Sequence, residues 1–331
     1  MSKIKYEDME FFMYKNITNY NYGLNSTTIE IITTASNNSP ISIEEEKLKQ
    51  KPAPAIFYAF DSSGDTAFAH WIFECFILFP YFQRLQKEYP DIKIITKNKK
   101  RYVKNFFKLF DIVAPVVYEI PKTDEYINNN IVFFPYPIFS LSCSMDEKTK
   151  TIFKKYIDNY SQELEKRLTP IPQNAENGNG NGNGNGNGNG NGKEKRIILF
   201  PRNTKENYTS NDHKMTGIET IKEAVIEKGG MVIDTYELND IKTQFELLRQ
   251  HDIIILEYGS SFYVNGLSLK NKKIIVIDNY YTSYQTYRHN TFNTLYHTIK
   301  DTNNNDVIIC SSQHWETTGY IGYDDIKQHI E

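Results

Sequence analysis

Residues 253–278 read IIILEYGSSFYVNGLSLKNKKIIVID, and the fold turns on how this stretch is divided. It opens and closes with apolar runs, Ile253–Leu256 and Ile274–Ile277. Both are too short for helices and rich in β-branched residues, the pattern of strands buried on both faces. Between them, Gly259-Ser260-Ser261 leads into the short helix SSFYVNGLSL. Strand, helix and strand in such short compass make one parallel crossover unit.

The alternation continues on either side. RIILFPR (196–202) reads as a strand, and IETIKEAVIEKGG (218–230) has helical spacing and stops at paired glycines. MVIDTYE (231–237) is a strand and DIKTQFELLRQHD (240–252) a helix. YQTYRHNTFNTLYHTIK (284–300) is another helix, and DVIIC (306–310) closes the sheet. The result is a doubly wound parallel sheet.

The first half alternates less regularly. AIFYAF (55–60), IKIIT (92–96), VVYEI (116–120) and NIVFFPY (130–136) read as strands. GDTAFAHWIFECFILFPYFQRLQ (64–86), KRYVKNFFKLFDI (100–112) and DEKTKTIFKKYIDNYSQELEKRL (146–168) read as helices. The first fifty residues read as irregular strands and a polar loop packed on this half. Eight Asn-Gly copies from Asn177 to Gly192 bury nothing and read as a flexible tether. The division predicted is therefore 1–172, an N-terminal extension with a Rossmann-like domain; 173–194, a low-complexity linker; and 195–331, a second Rossmann-like domain. An α/β chain with two such halves predicts a ligand cleft between them.

Composition narrows the function. At 331 residues the chain is long for one core and comfortable for two domains. The net charge is -3 with acids and bases interspersed, which reads against nucleic acid as a partner. Cys75, Cys143 and Cys310 are far apart, with no CxxC pair, so neither a zinc knuckle nor a disulfide framework is expected. The charged N-terminus lacks an apolar signal core, and no apolar run approaches the length of a membrane span. These features predict a cytoplasmic protein. No DxD, HExxH or paired His/Cys spacing appears, so no metal is expected.

Three stretches can carry chemistry. His70 and Glu74, one helical turn apart, share a face in an otherwise apolar segment, where an imidazole and a carboxylate need each other or a ligand. They follow a strand and a small-residue loop, where a Rossmann-like unit opens onto its crevice. Arg202 ends the strand ILFPR, where a guanidinium is placed to grip a diphosphate in two-pronged fashion, with Lys205 in the polar loop beyond, a solvated or carboxylate-paired arginine being the alternative. Gly259, Ser260 and Ser261 follow the next buried strand, and small residues with free N–H groups suit phosphate there, an ordinary helix cap being the alternative.

Taken together, FAHWIFECFILFPYFQRL (68–85), ILFPRN (198–203) and IIILEYGSSFYVNGLSLKNKKIIVID (253–278) resemble the pattern of glycosyltransferase family 61. That pattern is an H-W-[LIF]-x-[DE] helix, then a strand ending in Arg, then a strand running into G-[AS]-x-[LF]-x-N, with the resemblance covering roughly residues 55 to 310. The resemblance implies a GT-B fold and inverting, metal-independent transfer of a hexosyl or pentosyl group. The donor would be a nucleotide-sugar, UDP-linked, serving as co-substrate with no other cofactor, and the acceptor a protein or glycan hydroxyl. It places His70 and Glu74 on the acceptor side, one of them as base. It gives Arg202, Lys205 and the Gly259–Asn265 segment, with Ser260, Ser261 and Asn265, to the diphosphate. The chain departs from the family at Tyr258, where a histidine is usual, and a second Arg after Arg202 is replaced by Lys205 and Lys214. A catalytically inactive scaffold of the same fold, binding or structural, is the alternative expectation.

Overall fold

The computed structural model describes residues 2–6, 9–15, 21–25, 28–32, 55–61, 68–119, 130–136, 139, 145–169, 195–201, 215–233, 238, 240–278, 290–311 and 319–330. The Asn-Gly linker at 173–194, Arg202 and Lys205 lie outside the described residues. The chain is α/β and forms two compact units. One comprises Met1–Tyr160 with His289–Thr294, the other Ser161–Arg288 with Leu295–Glu331.

The first unit is built on a six-stranded sheet. Its strands are β1 (Ser2–Tyr6), β2 (Met9–Lys15), β5 (Ala55–Ala59), β6 (Lys93–Ile95), β7 (Val116–Val117) and β8 (Asn130–Tyr136), while β3 (Asn21–Asn25) and β4 (Thr28–Ile32) form a separate antiparallel hairpin. The order is β1-β2-β8-β5-β6-β7. Strands β8, β5, β6 and β7 run parallel, and β2 and β1 extend the sheet antiparallel. Part of the predicted N-terminal extension is thus regular sheet.

The predicted helix 64–86 is interrupted. Its described part is a helical turn at Phe68–His70, a π-turn at Trp71–Cys75, a 3₁₀ turn at Phe76–Leu78 and only then the α-helix α1 (Phe79–Glu88). Pro80 is the physical reason: it has no N–H for the Phe76 carbonyl, so the α-helix restarts where Pro80 falls in its first turn and that donor is not needed. The rings of Trp71, Phe76, Phe79, Phe106, Phe107 and Phe110 pack among themselves between this segment and α2 (Arg101–Leu109), filling the core. The helix α3 (Glu147–Arg167) follows β8.

The second unit holds β9 (Ile197–Phe200), β11 (Met231–Val232), β12 (Ile253–Glu257), β13 (Lys273–Asp278) and β14 (Asp306–Ser311) in one sheet, with β10 (Met215–Thr216) and β15 (Gly319–Tyr320) as a separate parallel pair. The sheet order is β11-β9-β12-β13-β14, all parallel. Every residue of β9 and β12 is buried, as their unbroken apolar runs require. One face carries α4 (Ile218–Glu227) and α8 (Tyr323–Ile330), whose Ile221, Val225, Ile326 and Ile330 join Ile197, Leu199, Ile253, Ile255, Ile275 and Ile277 in one core. The other helices are α5 (Ile241–Arg249), α6 (Ser260–Gly266) and α7 (Asn290–His297). Helix α4 ends as its glycines predict: Gly229 adopts φ +69° and Gly230 N–H reaches back to Val225 O at 2.8 Å, a six-to-one C-cap.

Candidate functional site

In the first unit the chain leaves β5 towards β6 on one side and returns to pair with it as β8 on the other. Strand order reverses at β5, and the carboxyl edge beside such a reversal is where open α/β sheets leave a crevice. Asp61 stands at that edge. Its Oδ1 accepts from Thr96 Oγ1 at 2.8 Å and from the Lys97 N–H at 2.9 Å, tying the end of β5 to the end of β6. The sequence reading passed over Asp61, although it is the first polar residue after an apolar strand.

His70 and Glu74 meet as their spacing predicts. His70 Nδ1 lies 2.7 Å from Glu74 Oε1. The Glu74 side chain is 1% exposed and that of His70 24%, so the carboxylate is held inside while the ring reaches the surface. The π-turn keeps the pair on one face, since four residues fall just short of one turn in a π-helix and just past one in an α-helix. Trp71 anchors the turn: it is fully buried and its Nε1 donates to Phe60 O at 3.2 Å. Burial pushes the Cys75 thiol well up, and the Asp61 and Glu74 carboxylates push it further. Cys75 is therefore a packed thiol rather than a nucleophile. Burial also raises the Tyr102 phenol to about 12, against the lowering effect of the Asn98 amide, which donates to it at 2.8 Å.

In the second unit the strand order reverses between β9 and β12, again at the carboxyl edge. The strand leading to Arg202 ends there at Phe200, with Pro201 buried. Gly259 follows β12 with φ +99° and ψ -141°, a conformation only glycine adopts readily, and it lets β12 turn directly into α6. Ser260 and Ser261, half-buried, form the first turn of α6.

Asn265 is committed inward. It is 1% exposed, its Oδ1 accepts from Gln244 Nε2 at 2.6 Å and its Nδ2 donates to Ser261 O at 2.8 Å. It joins α5 to α6, and it fixes the turn that carries Ser260 and Ser261. Tyr258 is buried, and its hydroxyl shares a 2.7 Å hydrogen bond with the Tyr263 hydroxyl. Glu257 and Asp278, both buried, end β12 and β13. Glu257 is in register with Ile277, so the two carboxylates face opposite sides of the sheet. A polar residue closing an apolar strand was the signal for both.

The structure thus joins His70 with Glu74, and Gly259, Ser260, Ser261 with Asn265. Among the described residues, no group of three or more His, Cys, Asp or Glu side chains is placed to hold a metal ion. No helix among them is long and apolar enough to cross a membrane. No protein-family model matches the chain, and no curated protein matches its sequence.

Proposed function

We propose that the protein is a glycosyltransferase of the family 61 type, moving a sugar from a nucleotide-sugar to the hydroxyl of a glycan or protein. The observation that carries this reading is the 2.7 Å contact between His70 Nδ1 and the buried Glu74 carboxylate, at the carboxyl edge where the first sheet's order reverses. With Glu74 as a carboxylate, the imidazole proton sits on Nδ1 and leaves Nε2 as the acceptor. Nε2 takes the proton of the acceptor hydroxyl as its oxygen attacks the anomeric carbon. The bond from that carbon to the diphosphate oxygen breaks, and the nucleoside diphosphate leaves with the electron pair. Glu74 stabilises the imidazolium so formed, as a buried carboxylate does for a charged neighbour.

The resemblance assigns the departing diphosphate to Arg202, Lys205 and the Gly259–Ser261 turn, which follows β12 beside the reversal of the second sheet. Fixed positive charge and backbone N–H groups there do for the leaving group what a metal does elsewhere. This reading implies a GT-B fold.

One observation favours a second reading, a scaffold that binds without turnover. Tyr258 stands where the family has a histidine, and its hydroxyl is engaged by Tyr263. Donor binding is tested by melting the protein with a panel of nucleotide-sugars and free nucleoside diphosphates. A ligand of the folded state adds about 2.7 kcal/mol at a hundred times its Kd. A shift with UDP or one UDP-sugar, lost in Arg202→Ala, supports the transferase. No shift with any nucleotide refutes it.

A further inference from the structure

The segment 93–108, KIITKNKKRYVKNFFK, holds seven lysines and arginines and no acidic residue. The near-neutral balance of the whole chain conceals it. In the structure it forms β6, the turn after it and α2. Helix α2 buries Val103, Phe106, Phe107 and Leu109 and leaves Arg101, Lys104 and Lys108 exposed, with Lys99 and Lys100 exposed just before it. From Lys100 to Lys108 the stripe is about 12 Å long at the helical rise.

Three other helices pair cations with acids. Helix α3 pairs Lys150 with Glu147, Lys154 with Asp158, and Lys166 and Arg167 with Glu163. Lys222 pairs with Glu219 in α4, and Lys242 with Glu246 in α5. Helix α2 has no acid in its first turn, and among the described residues no carboxylate pairs with Lys100, Lys104 or Lys108. Like charges in such a stripe repel one another, and a bound anion relieves the repulsion.

The helix that carries the stripe packs against the candidate site. The Tyr102 ring of α2 lies 4.7 Å from that of Phe68 and 5.7 Å from that of Trp71, the residues flanking His70. The turn into α2 is also bonded to Asp61 through Thr96 and Lys97. No aromatic or aliphatic side chain is among the exposed positions of α2, and Val113 and Val116 are exposed beyond its end, so the helix itself offers neither a platform for stacking bases nor an apolar foot for a bilayer.

We infer that the basic stripe Lys99–Lys108 binds the acceptor, and that the acceptor is a linear acidic glycan bearing carboxylate or sulfate groups. This rests on the transferase reading of the His70 site and adds the acceptor's chemical class. The acidic groups lie along α2 while one sugar hydroxyl reaches His70 Nε2.

The test is direct binding to the full-length protein, which needs no turnover. Probes are an oligogalacturonate, a heparin-derived oligosaccharide, a neutral maltodextrin, a single-stranded oligodeoxynucleotide, and phosphatidylcholine vesicles with and without phosphatidylserine. One or both acidic oligosaccharides should bind in a salt-sensitive way, and more tightly than the maltodextrin, the oligodeoxynucleotide and the vesicles. The Lys100→Gln/Lys104→Gln/Lys108→Gln variant should melt with the parent and bind about tenfold more weakly. Equal binding of the maltodextrin, unchanged affinity in the variant, or preference for the oligodeoxynucleotide or the anionic vesicles overturns the inference. Acidic-glycan binding without release of nucleoside diphosphate from any nucleotide-sugar would leave the surface standing and refute the transferase reading. Turnover on neutral acceptors, unaffected by the variant, would do the reverse.

Discussion

Replacing Asn265 with alanine separates a positioning role from a ligand-binding one. Asn265 is 1% exposed, and its amide accepts from Gln244 Nε2 at 2.6 Å and donates to Ser261 O at 2.8 Å. Asn265→Ala removes both side-chain bonds and strands a buried donor on Gln244, while the Ser261 carbonyl keeps its place in the helix. A buried polar group left without a partner costs about 1–3 kcal/mol, so the change should cost about 2 kcal/mol. For a unit of this size that lowers the melting temperature by roughly 4–8 °C. Ser261→Ala is the control. It removes only a hydroxyl held at 3.4 Å by the same amide, so its cost should stay below about 0.5 kcal/mol. Both variants are melted without ligand, by circular dichroism and in urea. An Asn265→Ala protein that melts with the parent but no longer binds nucleotide would refute the positioning role.

Further outcomes follow from the same geometry. In Gly230→Ala the new Cβ would sit 2.8 Å from Val225 O and 3.0 Å from Ile197 O, both backbone, so urea melts should show a loss of up to about 3 kcal/mol. Gly229→Ala meets nothing within 4 Å but keeps φ +69°, and should lose only about 1 kcal/mol. Acid should destabilise the second unit in two stages. Burial depresses the His251 pKa, and the Asp252 carboxyl, which burial alone would raise, is held low by the Arg196 N–H and guanidinium. In both cases the unfolded chain binds protons more readily. Stability is therefore full above the ordinary histidine value of about 6.5, falls below it, and falls again below about 4. His251→Gln should remove the first stage from a series of melts between neutral pH and pH 5, leaving the second.

The parts of the fold legible in the sequence are those whose residues answer to local rules. β9, β12 and β13 could be read because their apolar runs are unbroken, as burial on both faces demands, and the half-buried edge strand β14 by its own short run Val307–Cys310. The end of α4 was written in Gly229 and Gly230, and the His70–Glu74 contact in a spacing of four. What escaped depends on distant partners. MEFFMYK (9–15) joins the sheet through β8, more than a hundred residues away, and no local pattern sets that register. Pro80 announces a break, but no local pattern announces the π-turn upstream at Trp71–Cys75. Asn265 reads as a phosphate ligand until Gln244 is found against it. The basic run at 93–108 vanishes in a whole-chain charge balance, and which of its side chains line the exposed side of α2 depends on the fold.

The most direct measurement is nucleoside diphosphate release from a UDP-sugar with an acceptor present, comparing the wild type with His70→Ala and Glu74→Gln. The expected result is turnover by the wild type, with kcat lowered about 10²–10⁴-fold in His70→Ala and donor Kd unchanged, as loss of a general base requires. Glu74→Gln should lower kcat as well and shift the pH profile of the remaining activity, since the imidazole keeps its place but loses the carboxylate beside it. No release by the wild type with any donor, or full kcat in His70→Ala, would contradict the role given to this pair.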